Sequence, residues 1–141
     1  MKINLMTDYA VRVICSIYKS DKGTITSNYM SKTEEISHGV LMKVLRELRE
    51  NEIVASHQGR GEIAGGYTLK KSIKEITVLD IIEIMEGTII LEKIGKNGSK
   101  RIEDIENNEV LKEYRRVSQV LREELKRNTL YDILNGMKHK E

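Results

Sequence analysis

Residues 36–67 constrain this chain more than any other stretch, because an amphipathic helix there runs almost without a break into a short hairpin. Within the first part, Leu41, Val44, Leu45 and Leu48 recur at i, i+3, i+4 and i+7, which puts them on one buried face of a helix. Gly39, Lys43 and Arg46 fall on the opposite face, with Met42 on its flank. Ser37 stands where an N-cap belongs, and His38 follows in the first turn. A short apolar strand from Ile53 to Ser56 comes next, then a glycine-rich tip holding Arg60, and then the return Tyr67-Thr68-Leu69. A helix with a cationic outer face, joined to a hairpin with a cation at its tip, fits a DNA groove and its phosphates. The sequence therefore predicts a reading head for double-stranded DNA. The plainer alternative is a solvated amphipathic helix and hairpin.

Within that head the expected contacts differ in kind. Lys43 and Arg46 suit phosphate or guanine. Arg60 suits a narrow minor groove or a phosphate. Ser37 and His38 can each reach a phosphate or a base edge, or serve only as a cap and a surface side chain. Met42 can touch a thymine methyl or pack between helices, and Tyr67 can pack or donate to phosphate. Gly39 costs a helix roughly 0.5–1 kcal/mol against Ala, so close approach to DNA is one reason to find it there. Glu47 and Glu50 are expected to pair with neighbouring Arg at i±3 or i±4. The pair Gly65-Gly66 is expected to supply positive-φ geometry for the hairpin.

Composition sets the rest of the bounds. With no Pro, Trp or Phe, the interior must be built from Ile, Leu, Val, Met and Tyr. The apolar fraction of 39% is low for a self-sufficient globule, which points to an obligate homodimer. Residues 1–75 carry 12 basic and 9 acidic side chains, a net +3 that leans only mildly towards a polyanion. Absence of a long apolar run or a signal-type leader predicts a soluble, cytoplasmic chain. The single Cys agrees with a reducing compartment. Three scattered His at 38, 57 and 139 suggest no nucleophile–base pairing, so no enzyme activity is expected. A nucleotide-binding glycine loop is also excluded, since no Gly-Lys-Ser/Thr follows the glycines.

In order, Thr7 is the expected cap of a first helix from Asp8 to Lys19. That helix is apolar on most sides, with Arg12, Ser16 and Lys19 as its polar stripe. Cys15 borders the stripe, as either a structural or a redox-active thiol. Ile25 reads as a short strand or anchor, and Thr26 or Ser27 caps a second helix to about Lys32. Glu34 and Glu35, in the turn before the third helix, are expected to face away from DNA. Thr77 with Asp80 makes a capping box for a helix over 78–86 closed by Gly87. Asn107 or Asn108 then caps the longest helix, to about Arg127. There Val110, Tyr114, Val117, Leu121 and Leu125 form one stripe suited to a two-helix dimer interface. Thr129 with Asp132 opens a last short helix.

Several ordered blocks carry a specific resemblance. Thr7-Asp8-Tyr9-Ala10-Val11-Arg12, Ile36-Ser37, the run 45–54, the glycines around Arg60 with Tyr67-Thr68-Leu69, and the run 76–87 together resemble the Rrf-two (Rrf2) family of winged-helix repressors. The resemblance implies a mainly α fold with a small β-wing. It divides the chain into a winged helix-turn-helix domain over 1–87, a loop over 88–106, and a dimerisation helix with a short last helix over 107–141. Many members hold an iron–sulfur cluster with three Cys in that loop. Here residues 88–108 contain neither Cys nor His, so no cofactor is expected. Glu92, Glu103, Asp104 and Glu106 could take a hard cation, although plain solvation explains them as well. Two further departures concern the reading head. Gly39 and Val40 stand where family members carry a small polar residue and an aromatic, and Glu62 to Ala64 lengthen the wing. The expected function is a clusterless, sequence-specific repressor acting as a homodimer on a pseudo-palindromic operator. A protein–protein adaptor on the same scaffold, or a redox sensor through Cys15, are the alternatives.

Overall fold

A computed structural model describes residues 4–21, 23–60, 65–87 and 108–136. The described helices are α1 (Leu5–Lys19), α2 (Ser27–Thr33), α3 (His38–Glu50), α4 (Val78–Glu86), α5 (Glu109–Lys126) and α6 (Leu130–Leu134). Strands β1 (Val54–His57) and β2 (Gly66–Leu69) lie between α3 and α4. The architecture is mainly helical with a small antiparallel sheet, as expected. The proposed additions at the wing tip (Glu62 to Ala64) and the acidic side chains of the 88–106 loop lie outside the described residues.

The two strands pair with Val54 opposite Leu69 and His57 opposite Gly66. Ile25 extends this sheet through an isolated bridge to Tyr67, with both backbone bonds made (3.1 and 2.8 Å). Ile25 is thus a one-residue bridge and a buried anchor rather than a strand, and it ties the wing to the connection between α1 and α2.

The core forms where the amphipathic faces meet. Val13, Ile14 and Ile17 of α1 pack with Met30 of α2, with Leu41, Val44, Leu45 and Leu48 of α3, and with Ile73, Ile76 and Ile81 around α4. All four apolar positions that set the period of α3 are buried. Leu130 of α6 joins the same core, and Leu130 N donates to Ile76 O at 2.8 Å. The C-terminal segment thus folds back onto the first part of the chain.

Several local expectations change. Helix α1 begins at Leu5, three residues early, because Asn4 rather than Thr7 is its cap and accepts from Met6 N. Asn serves this role as well as Thr does. Thr7 is buried and donates its hydroxyl to Glu86 at 2.6 Å, joining α1 to the end of α4. Strand β1 starts one residue later than Ile53, which is itself buried in the core. The capping boxes at Thr77/Asp80 and Thr129/Asp132 are both present, and Thr26 and Asn108 cap their helices.

Gly65 and Gly66 have no positive φ. Their need for glycine is spatial instead. A Cβ on Gly65 would sit 2.7 Å from His57 O, and one on Gly66 would sit 2.7 Å from Ile25 O. Backbone crowding at the root of the wing, not turn geometry, excludes a side chain there.

The apolar stripe of α5 divides. Leu121 and Leu125 pack on Leu79 and Ile82 of α4 within the same chain, and Arg122 pairs with Glu83 there. Val110, Tyr114 and Val117 remain exposed. A single stripe of one spacing serves two surfaces, which periodicity alone does not reveal.

Candidate nucleic-acid interface

Helix α3 stands with its apolar face in the core and its other face open. Ser37, His38, Gly39, Met42, Lys43 and Arg46 are all exposed. The fold therefore brings six of the eight expected contact residues onto one surface of one helix and its cap. Arg60, at the end of the wing, is exposed as well.

Among the described residues, the polar side chains of that surface have no hydrogen-bond or ion-pair partner. Ser37 occupies the N-cap position, yet its side chain makes no capping bond. The neighbouring turn is closed instead by Ser31, whose hydroxyl donates to Ile36 O at 2.6 Å. Backbone N–H groups at the start of α3 and a free hydroxyl thus face outward together, a combination suited to an anion. Lys43 and Arg46 form no ion pair with any described residue. The expected pairing of Glu47 and Glu50 with neighbouring arginines is likewise absent among the described residues. Exposed intrahelical pairs stabilise by only a few tenths of a kcal/mol, too little to hold long side chains in place. Both cations are consequently available to a phosphate or base.

Gly39 has open space around an added Cβ and no positive φ. No contact among the described residues requires glycine there, so the position is open to an outside group. Tyr67, in contrast, is half-buried against the core and belongs to the support of the wing. His57 Nε2 lies 2.8 Å from Thr68 Oγ1 across the hairpin, so this ring is held within the sheet.

Sequence reading missed what fixes the turn before α3. Glu34 turns back towards α1, in keeping with its expected direction away from the open face. Its carboxylate accepts from Ser16 Oγ at 2.6 Å and pairs with Arg12 at 3.6 Å, while Arg12 also donates to Glu34 O at 2.9 Å. Glu35 follows with φ 54, a left-handed conformation rare for a side-chain-bearing residue. A three-point clamp on Glu34 holds the turn in which Glu35 takes that conformation. The signal was present in sequence as the polar stripe Arg12, Ser16 and Lys19, whose partner could not be named.

Cys15 is half-buried beside this clamp. Burial pushes its thiol pKa up, Lys19 opposes that shift, and Glu34 adds to it. That direction disfavours the thiolate, which is the nucleophilic form. Iron–sulfur ligation needs several thiolates or imidazoles. The chain has one Cys, on α1, and its His at 38 and 57 lie on separate elements. Among the described residues no group of three or more His, Cys, Asp or Glu is placed to hold a metal ion. The donor set does not fit a cluster.

Comparison with known proteins agrees with this geometry. The sequence model of the Rrf2 family, described as an iron-dependent transcriptional regulator, matches residues 3–136. The HTH-type transcriptional regulator NsrR of Oceanobacillus iheyensis is 32% identical over 100 residues, covering 70% of this chain and 66% of that protein. A Mycobacterium tuberculosis protein described as an HTH-type transcriptional regulator is 28% identical over 90 residues, 63% of this chain and 54% of its own length. The chain thus spans about half the length of that relative. Among solved structures, a Listeria innocua protein described as a transcriptional regulator superposes with a TM-score of 0.72 at 26% identity, over 100% of this chain and 91% of that one. CymR, the global cysteine regulator of B. subtilis, gives 0.70 at 24% identity over 98% and 99%, a likeness of fold alone. With the family match running through nearly the whole sequence and the winged fold in place, the chain belongs to the Rrf2 family of transcriptional regulators.

Proposed function

We infer that this chain is a sequence-specific DNA-binding repressor, acting in the cytoplasm as a homodimer on a pseudo-palindromic operator and without an iron–sulfur cluster. The observation that carries the reading is the open face of α3, where Lys43 and Arg46 stand exposed and unpaired among the described residues beside the uncapped Ser37. An ordinary solvated helix has no need of an unbonded cap and a glycine at the same end. The family's regulators are DNA-binding proteins, which supports the same conclusion. No helix among the described residues is long and apolar enough to cross a membrane.

Binding of the parent and of Lys43→Ala, Arg46→Ala and Arg60→Ala to an operator duplex and to a scrambled one, over a range of salt, tests the reading. Arg60→Ala is expected to weaken both duplexes alike and to lower the salt slope by about one unit. Lys43→Ala and Arg46→Ala are expected to weaken the operator further, by roughly 1–3 kcal/mol where either cation pairs bidentately with a base. Parent-like affinity and an unchanged slope in all three would contradict a DNA-reading head.

A separate prediction follows from the donor set. After anaerobic incubation with ferrous iron and sulfide, then desalting, the chain should retain no stoichiometric iron and show no visible charge-transfer absorption. A stable cluster would show that ligation here does not depend on thiolates of the 88–106 loop.

A further inference from the structure

The polar stripe of α1 faces a cleft of about 790 Å³ between α1, α2 and the connection joining them. That volume is in the range of small-molecule sites. Charges of both signs line it: Arg12 and Lys19 from α1, Asp21 from the connection, and Glu34 from the turn after α2. Arg12 and Glu34 are committed to each other. Lys19 and Asp21 are exposed and form no ion pair with a described residue. Hydroxyls such as those of Thr24 and Tyr29 supply further donors and acceptors on the walls.

The described lining residues carry two positive and two negative side chains, a balance that favours neither a simple anion nor a simple cation. Two unlike charges without ion-pair partners among the described residues, set in a hydroxyl-lined cleft, instead complement a small dipolar molecule. We propose that the cleft is an effector site for a free amino acid, with Lys19 taking its carboxylate and Asp21 its ammonium group.

The position of the cleft gives such binding a consequence. Glu34 is both a wall of the cleft and the clamp on the turn before α3. An occupant whose carboxylate also reaches Arg12 competes with Glu34 and releases that turn. Ligand and DNA then favour different arrangements of α3, so each weakens the other's binding to the same degree. This second half rests on the DNA-binding reading above; occupancy of the cleft does not.

Calorimetric titration of the full chain with the common free L-amino acids, supplied singly and without DNA, tests the site. At least one is expected to bind saturably. Its deaminated acid and its carboxamide should bind about tenfold more weakly or worse, as should the parent amino acid to Lys19→Gln or Asp21→Asn. Absence of saturable binding by every amino acid overturns the site, as do analogues or variants that bind like the parent pair. With the bound amino acid at saturation and constant ionic strength, operator affinity should fall about five- to tenfold. Glu34→Gln should remove that sensitivity while still binding the amino acid. Ligand binding without any effect on operator affinity overturns the coupling. Ligand binding by a chain that does not bind DNA at all would instead sink the DNA-binding reading and leave the site standing.

Discussion

Leu48→Ala is expected to lower the free energy of unfolding by about 2–5 kcal/mol, the range for truncating a fully enclosed leucine. Leu48 is 0% exposed and sits where α3 meets the rest of the core. The loss combines the transfer of the removed atoms with the cavity left among neighbours that cannot fully collapse. Met42→Ala on the same helix removes a side chain that is 38% exposed, and should change stability by no more than about 0.5 kcal/mol. Urea denaturation at one fixed chain concentration measures both, since a linked dimer makes stability depend on concentration. Equal losses at the two positions would mean that the buried and open faces of α3 are wrongly assigned.

In the proposed homodimer, Val117→Asp is expected to shift the balance from dimer to monomer. Val117 stands between exposed Tyr114 and exposed Val120 on α5, and Val110 continues the apolar surface towards the start of the helix. A carboxylate placed in that patch must be desolvated on pairing, which should raise the dimer dissociation constant by well over about tenfold. Sedimentation equilibrium reads the change directly. Leu121→Asp is a poorer probe. Its side chain packs on α4 of its own chain, so a loss of pairing there could follow from local unfolding. An intact dimer in Val117→Asp, with unchanged helicity, would place the interface elsewhere.

Periodicity made much of this fold legible. The 3.6-residue pattern of α3 located all four of its buried residues, and by exclusion its open face. Capping boxes announced α4 and α6, because Thr followed three positions later by Asp satisfies the same backbone groups in any context. What stayed hidden depended on partners distant in sequence. Thr7 looked like a cap because its hydroxyl has the right chemistry, but its partner Glu86 lies 79 residues away. The crowding that demands Gly66 comes from Ile25 O, a neighbour only after the wing has folded. Leu121 and Val117 share one stripe in sequence and divide only when α4 takes up part of it. Glu34 was read correctly as facing away from the open side, yet nothing in its immediate neighbours named Arg12 and Ser16 as its partners.

The site was legible in a similar measure. Gly39, Met42, Lys43 and Arg46 were grouped by helical phase, Ser37 and His38 by their place at the helix start, and the structure exposes all six together. Tyr67 was nominated on residue type, and the neighbouring His57 carries a side chain of similar binding chemistry. The hairpin itself now accounts for both, one packed on the core and the other against Thr68. Residue type tells what a side chain can bind, whereas register decides whether it is free to do so.

Selection from a random duplex library shows whether α3 reads a DNA sequence. The purified chain is mixed with the library at near-physiological salt, and the bound duplexes are amplified and sequenced over several rounds. Two reading heads related by a dimer axis should enrich a pseudo-palindrome, with half-site centres about 10–10.5 base pairs apart or a multiple of that. The enriched duplex should lose its advantage over random sequence when Lys43 and Arg46 are both replaced by Ala. Failure to enrich any sequence, or enrichment of one that the double variant binds equally well, would contradict the assignment of α3 as the element that reads DNA.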